Sequence, residues 1–110
     1  MKNIVEFFFD CSSPWSYLAF EGIQVNLVDI DIMWKPILVG GIFNSINPSV
    51  YVSRENPVPE KISYHAKDLQ DWASRRSVVI GKPKPFPVNS VKAMRGAFVA
   101  IEEGLLVEYA

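Results

Sequence analysis

Ser13 and Ser16 stand three residues apart where a strand-like apolar run passes straight into a helix-like one, in the stretch FFFDCSSPWSYLA at residues 7–19. That is the spacing of a redox Cys-x-x-Cys pair, with hydroxyls where the sulfurs would be. A strand feeding a helix N-terminus aims backbone N–H groups and the positive end of the helix dipole at one point in space. The pattern predicts the handling of a thiolate that belongs to another molecule. A helix end contributes about 0.3–1 kcal/mol to an anion, and a hydrogen bond to a charged partner about 1.5–3 kcal/mol. At about 1.36 kcal/mol per pKa unit, the two together lower a bound thiol's pKa by about one to two units. The plainer role for Ser13 is to cap the helix and nothing more. Ser16, one turn in, suits a hydroxyl satisfied by a backbone carbonyl.

Cys11 is the single cysteine, so neither an internal disulfide nor two-thiol exchange is open to the chain. Its place at the end of the strand predicts a buried, inert thiol. His65, the single histidine, falls on an apolar helical stripe and is expected to be a core or boundary residue. No acid partner is spaced for it, so a Ser-His-Asp reading has nothing to rest on. Zinc, P-loop and Rossmann motifs are absent from the sequence, and no metal is expected.

The elements that must position Ser13 follow from patterning. Residues 4–9 form an apolar, aromatic run suited to a buried parallel strand. Ser13 before Pro14 reads as N-cap and first helical residue, because proline's missing N–H is no loss there. Trp15, Leu18, Ala19, Gly22, Ile23 and Leu27 recur at helical spacing and are expected to face a sheet. Residues 29–34 form a second strand, stopped by Pro36. Strand, helix and strand in turn predict a right-handed parallel βαβ unit over residues 1–39.

Residues 36–59 are rich in Gly, Pro, Asn and Ser and are expected to be a long loop, functional or only partly ordered. Two amphipathic helices follow within 60–110, with stripes of Ile62, His65, Ala66, Leu69, Trp72 and Ala73, and of Val91, Met94, Phe98 and Ile101. The proline-rich connector at 81–87 separates them. Asn89 or Ser90 caps the later helix and Gly104 ends it. Residues 105–110 resemble the start of another element.

The stretch around Ser13 resembles the start of the 2-hydroxychromene-2-carboxylate isomerases and kappa-class glutathione transferases, DsbA-like proteins of thioredoxin fold. Matches continue in family order through Trp34-Lys35-Pro36, Gly40-Gly41-Ile42-Phe43, Pro59-Glu60-Lys61, Tyr64, Asp68-Leu69 and Phe86-Pro87-Val88-Asn89-Ser90. The resemblance implies an α/β fold, one partial DsbA-like domain over 1–110 whose βαβ unit is followed by the start of a helical insertion at 60–110. Family members continue through further strands, a cis-proline loop and a closing helix, for which this sequence has no counterpart. A two-stranded sheet leaves open edges, so self-association or a homodimer is expected.

For function, the resemblance implies a glutathione-dependent cis-trans isomerase of the 2-hydroxychromene-2-carboxylate type. Ser13 holds the glutathione thiolate, which adds to an unsaturated aromatic keto acid; bond rotation and thiolate loss return the other isomer. Lys61 and Asn56 are the expected glutathione contacts, a lysine pairing with a carboxylate as a point charge. Lys35 is the expected contact for a small anionic aromatic substrate. A kappa-type transferase, where the adduct leaves as product, and a noncatalytic thioredoxin-like binding module are the alternatives. Composition agrees with a globular domain: 49% of residues are hydrophobic and 21% charged, which fits neither disorder nor a membrane span. A formal net charge of −1 gives no field to recruit nucleic acid or an anionic membrane. The strand begins too early for a signal peptide, so the expected compartment is the cytoplasm.

Overall fold

In the computed structural model the described residues are 3–26, 29–84 and 88–110. The element order is β1 (Ile4–Phe9), α1 (Pro14–Asn26), β2 (Asp31–Pro36), α2 (Val39–Ser45), α3 (Ser49–Glu55), α4 (Pro59–Arg75), α5 (Val91–Glu102) and α6 (Leu106–Tyr109). The chain divides into two compact units, Met1–Leu38 with Lys82–Ala110, and Val39–Gly81.

In the first unit β1 and β2 pair in parallel, with Ile4 opposite Asp31 and Phe9 opposite Pro36. Side chains alternate across a strand, and partners in register share a face. Phe7, Phe9 and Trp34 therefore fall on one face, and Glu6, Phe8, Met33 and Lys35 on the other. The first face carries an aromatic cluster. Phe7 and Phe9 stack with centroids 5.9 Å apart, and Trp34 meets them edge-on at 5.5 and 6.2 Å. Phe20 of α1 closes on Trp34 at 5.3 Å. Edge-to-face pairs of this kind add about 0.5–1.5 kcal/mol to the burial of the rings.

The buried core joins Phe9 to Met94, Ala97, Ala100 and Leu106, with Phe7, Trp34 and Ile101 packed around them. The face that α5 buries is thus Met94, Ala97 and Ala100, whereas Phe98, expected in the stripe, is 54% exposed. Short alanine side chains let the helix axis come close to Phe9, which a larger side chain would prevent. A similar rotation affects α1. It buries Leu18, Phe20 and Gly22, while Trp15 and Ala19, expected to face the sheet, are exposed. Phe20 takes that place because Trp34 offers it an aromatic surface; Leu27 lies outside the described residues.

β2 starts at Asp31, two residues later than the apolar run, and takes Pro36 as its last residue. Proline is tolerated there because the ladder needs no N–H from position 36: the next residue makes the bond, the Ile37 N–H donating to the Phe9 carbonyl at 2.9 Å. At the C-terminal end of α5, Gly104 adopts φ +68°. The Leu105 N–H reaches the Ala100 carbonyl at 2.8 Å and the Gly104 N–H that of Ile101 at 3.1 Å, the paired bonds of a Schellman end. Residues after it form the single turn of α6, whose Tyr109 hydroxyl donates to the Ala93 carbonyl at 2.7 Å.

The second unit corrects the expectation of a long loop. Within residues 36–59 lie two short helices, α2 and α3. The Ile46 N–H bonds to Ile42 and the Asn56 N–H to Val52, so local backbone pairing overrides the low helix propensity of Gly40 and Gly41. Pro59, expected at the end of the loop, instead opens α4 in its first turn, where proline's missing N–H is no loss. The stripe on α4 is largely uncovered: Ala73 is buried, but Ile62 and Trp72 are 54% and 43% exposed. His65 is exposed too, contrary to the core or boundary place expected for it, because the described elements of this unit leave that face of α4 open. α4 ends as α5 does, with Val78 N–H on the Ala73 carbonyl and Ser77 at φ 58° in the position glycine usually takes. Among the described residues no helix is long and apolar enough to cross a membrane.

Candidate functional site

The turn between β1 and α1 is built by its own polar atoms. Asp10, only 2% exposed, accepts the Ser12 N–H on Oδ1 at 2.9 Å, the side-chain turn that aspartate favours. The Asp10 carbonyl accepts the Ser13 N–H at 3.0 Å. Ser13 Oγ then accepts the Ser16 N–H at 3.3 Å, and the Ser13 carbonyl accepts the Tyr17 N–H at 3.2 Å. Ser13 is therefore the N-cap of α1, as its place before Pro14 predicts. Across the first unit the Cys11 N–H donates to Met94 Sδ at 3.3 Å, which ties the turn to α5.

These bonds decide which donors remain for a ligand. The N–H groups of Ser12, Ser13 and Ser16 are taken, and Pro14 has none. The Trp15 N–H and the Ser13 hydroxyl proton have no acceptor among the described residues. Ser13 can thus cap the helix through its oxygen and donate outward through its hydrogen at the same time. Its half-buried position keeps part of the competing water away. Those two donors at the positive end of a 13-residue helix suit a thiolate sulfur.

Cys11 is exposed, which corrects the expectation of a buried thiol: the turn needs its backbone N–H on Met94, and that leaves the side chain outside. Partial burial of the thiol and the neighbouring Asp10 carboxylate both push its pKa up. It is therefore a poor nucleophile at neutral pH. With hydroxyls at positions 13 and 16, the site has no second sulfur to complete an exchange.

Lys35 lies near the end of β2 opposite Phe8, on the sheet face away from the aromatic core, and is half-buried. Lys61 and Asn56 belong to the second unit, where the structure brings them together. Both line one open cleft of about 370 Å³. Lys61 comes from the first turn of α4, and Asn56 follows α3 as its C-cap. Val52, Val58 and Ile62 supply the apolar part of the cleft, Ser49 and His65 the rest of its polar rim. Sequence reasoning did not place His65 here; its spacing of four from Lys61, one helical turn, was the available signal. Asp10 was also missed, although an aspartate between a strand and a Ser-Ser-Pro turn is a side-chain turn signal. Phe86 and Pro87 of the family-like motif lie outside the described residues; of the rest, Asn89 Oδ1 accepts the Val91 N–H at 3.1 Å, a structural role. Among the described residues no group of acidic, histidine and cysteine side chains could hold a metal.

A parallel strand–helix–strand unit, here with Ser13 capping its helix, is the arrangement with which a thioredoxin-like fold opens. The sequence matches the family described as DSBA-like thioredoxin domain over residues 4–110. The chain belongs to that family. It is also similar to "Glutathione s-transferase kappa 2" of Caenorhabditis elegans, 32% identical over 88 residues, which are 77% of this chain and 37% of the relative. The chain thus spans well under half the length of the curated relative it matches. No solved structure matches it significantly.

Proposed function

We propose that this chain forms the thiol-activating part of a glutathione-dependent enzyme, of the 2-hydroxychromene-2-carboxylate isomerase type. The observation that carries the reading is the Ser13 hydroxyl, which caps α1 through its oxygen and keeps its proton for an incoming anion. In the first unit Ser13 and the Trp15 N–H suit the sulfur as thiolate. In the second unit Lys61 and Asn56 carry a cation and an amide, the groups that a carboxylate and a peptide group would take. When bound, glutathione supplies a sulfur nucleophile that adds reversibly to a conjugated double bond. Lys35 holds the carboxylate of the aromatic keto acid, with the exposed ring of Phe8 beside it on the same sheet face.

The similarity to a kappa-class relative supports a second reading, a transferase in which the sulfur conjugate leaves as product. A noncatalytic module that binds a peptide or partner chain is the reading from another class. Calorimetry with reduced glutathione separates enzyme from module: saturable binding supports the enzyme, and peptide binding without it supports the module. Thiol consumption with a conjugated aromatic keto acid then separates the two enzymes. An isomerase changes the substrate's geometry at constant free thiol, whereas a transferase removes one thiol per turnover.

A further inference from the structure

The cleft of the second unit holds two polar side chains that the reading above does not use, Ser49 and His65. His65 stands one turn after Lys61 on α4, so the two side chains leave the same face of the helix, and both line the cleft. The imidazole packs edge-on against Tyr64, with centroids 5.8 Å apart, and makes no hydrogen bond to any described residue. It has an N–H to give whether neutral or charged. The Ser49 hydroxyl proton is committed to Asn47 Oδ1, so Ser49 does not compete as a donor. No carboxylate lines this cleft among the described residues. A bound anion therefore meets the nitrogen donors of Lys61, Asn56 and His65 and no like charge.

We propose that His65 is a specificity-determining residue that grips, together with Lys61, one carboxylate of the bound tripeptide. The apolar wall from Val52 and Ile62 selects a carboxylate carried on a short aliphatic stem over a bare inorganic anion. This rests on the glutathione reading, and it adds a residue, a ligand group and a reason for selectivity to it. His65 acts on binding alone, because the thiolate donors lie on Ser13 and Trp15.

Two probes, reduced glutathione and its dimethyl ester, test this by calorimetry on the full chain. The wild type should bind glutathione more tightly than the ester. His65→Ala should weaken glutathione about five- to tenfold, the loss of a hydrogen bond to charge reduced by solvent at an open cleft, and leave the ester unchanged. His65→Gln, which keeps an N–H donor, should recover most of the loss. An equal effect of His65→Ala on both probes, no effect on either, or His65→Gln behaving like His65→Ala would overturn the role of His65 while leaving the Ser13 reading standing. Failure of the wild type to bind glutathione at all would overturn both.

Discussion

Ser13 Oγ accepts the Ser16 N–H at 3.3 Å, so the two serines that stand at Cys-x-x-Cys spacing are bonded to each other as cap and first turn. One hydroxyl serves structure through its oxygen and keeps its hydrogen available as a donor. The two roles separate by substitution. Ser13→Ala should cost about 1 kcal/mol of stability as the cap is lost. Ser13→Asp should restore it, because aspartate caps as well as serine, yet its charge should repel a thiolate. Urea unfolding of the three proteins checks the stability order.

Cys11 gives a pH test. Its pKa is raised by partial burial and then by the Asp10 carboxylate. Reaction with a thiol-specific alkylating agent should therefore be slow at neutral pH, and its rate should rise at higher pH than for cysteine in a short peptide. Asp10→Asn keeps an oxygen for the Ser12 N–H and removes the charge, so it should move the profile partway down. The linkage sign follows: a thiol whose folded pKa exceeds the unfolded one supports folding below the unfolded pKa, and that support fades as pH rises through the folded pKa.

Gly96 on α5 faces Tyr109. A Cβ there would fall on the Tyr109 hydroxyl and within 3.0 Å of its ring carbon Cζ. Tyrosine's far end can swing away, at the cost of its bond to the Ala93 carbonyl, about 0.5–1.5 kcal/mol. Alanine in a helix interior gains about 1 kcal/mol over glycine. The two effects nearly cancel, so Gly96→Ala should change stability little. In a Tyr109→Ala background the same change should stabilise by about 1 kcal/mol, which a double-mutant cycle by thermal unfolding reads directly.

The sheet face opposite the core bears Ile4, Phe8 and Met33, which are 64%, 55% and 43% exposed. Apolar side chains grouped on one face of an open two-stranded sheet favour association. Sedimentation of the 110-residue chain over a concentration series should show growing assemblies, and Phe8→Lys should reduce them. A monomer at every concentration would contradict this account of that face.

The βαβ order, the Ser13 cap with Pro14 at the head of α1, and Gly104 at the end of α5 were legible because each is local chemistry: proline's missing N–H, a hydroxyl acceptor, glycine's access to positive φ. The faces that α1 and α5 bury were not. Periodicity marks an apolar arc, but Phe20 over Trp34 and the alanines of α5 against Phe9 are chosen by shape across the sheet. α2 and α3 were hidden by glycine and proline, which weigh against helix residue by residue. The candidate ligands Asn56 and Lys61 were legible only through resemblance. Their convergence on one cleft with His65 depends on the turn between α3 and α4, which no periodicity encodes.

The central claim is that Ser13 stabilises the thiolate of bound glutathione, and the most direct measurement is the pH titration of thiolate absorbance with glutathione bound to wild type and to Ser13→Ala. The wild type should hold the bound thiol about one to two pKa units below its value in water. Ser13→Ala should lose about one unit or more of that shift. Identical titration curves for the two proteins would mean that Ser13 is a helix cap and nothing more.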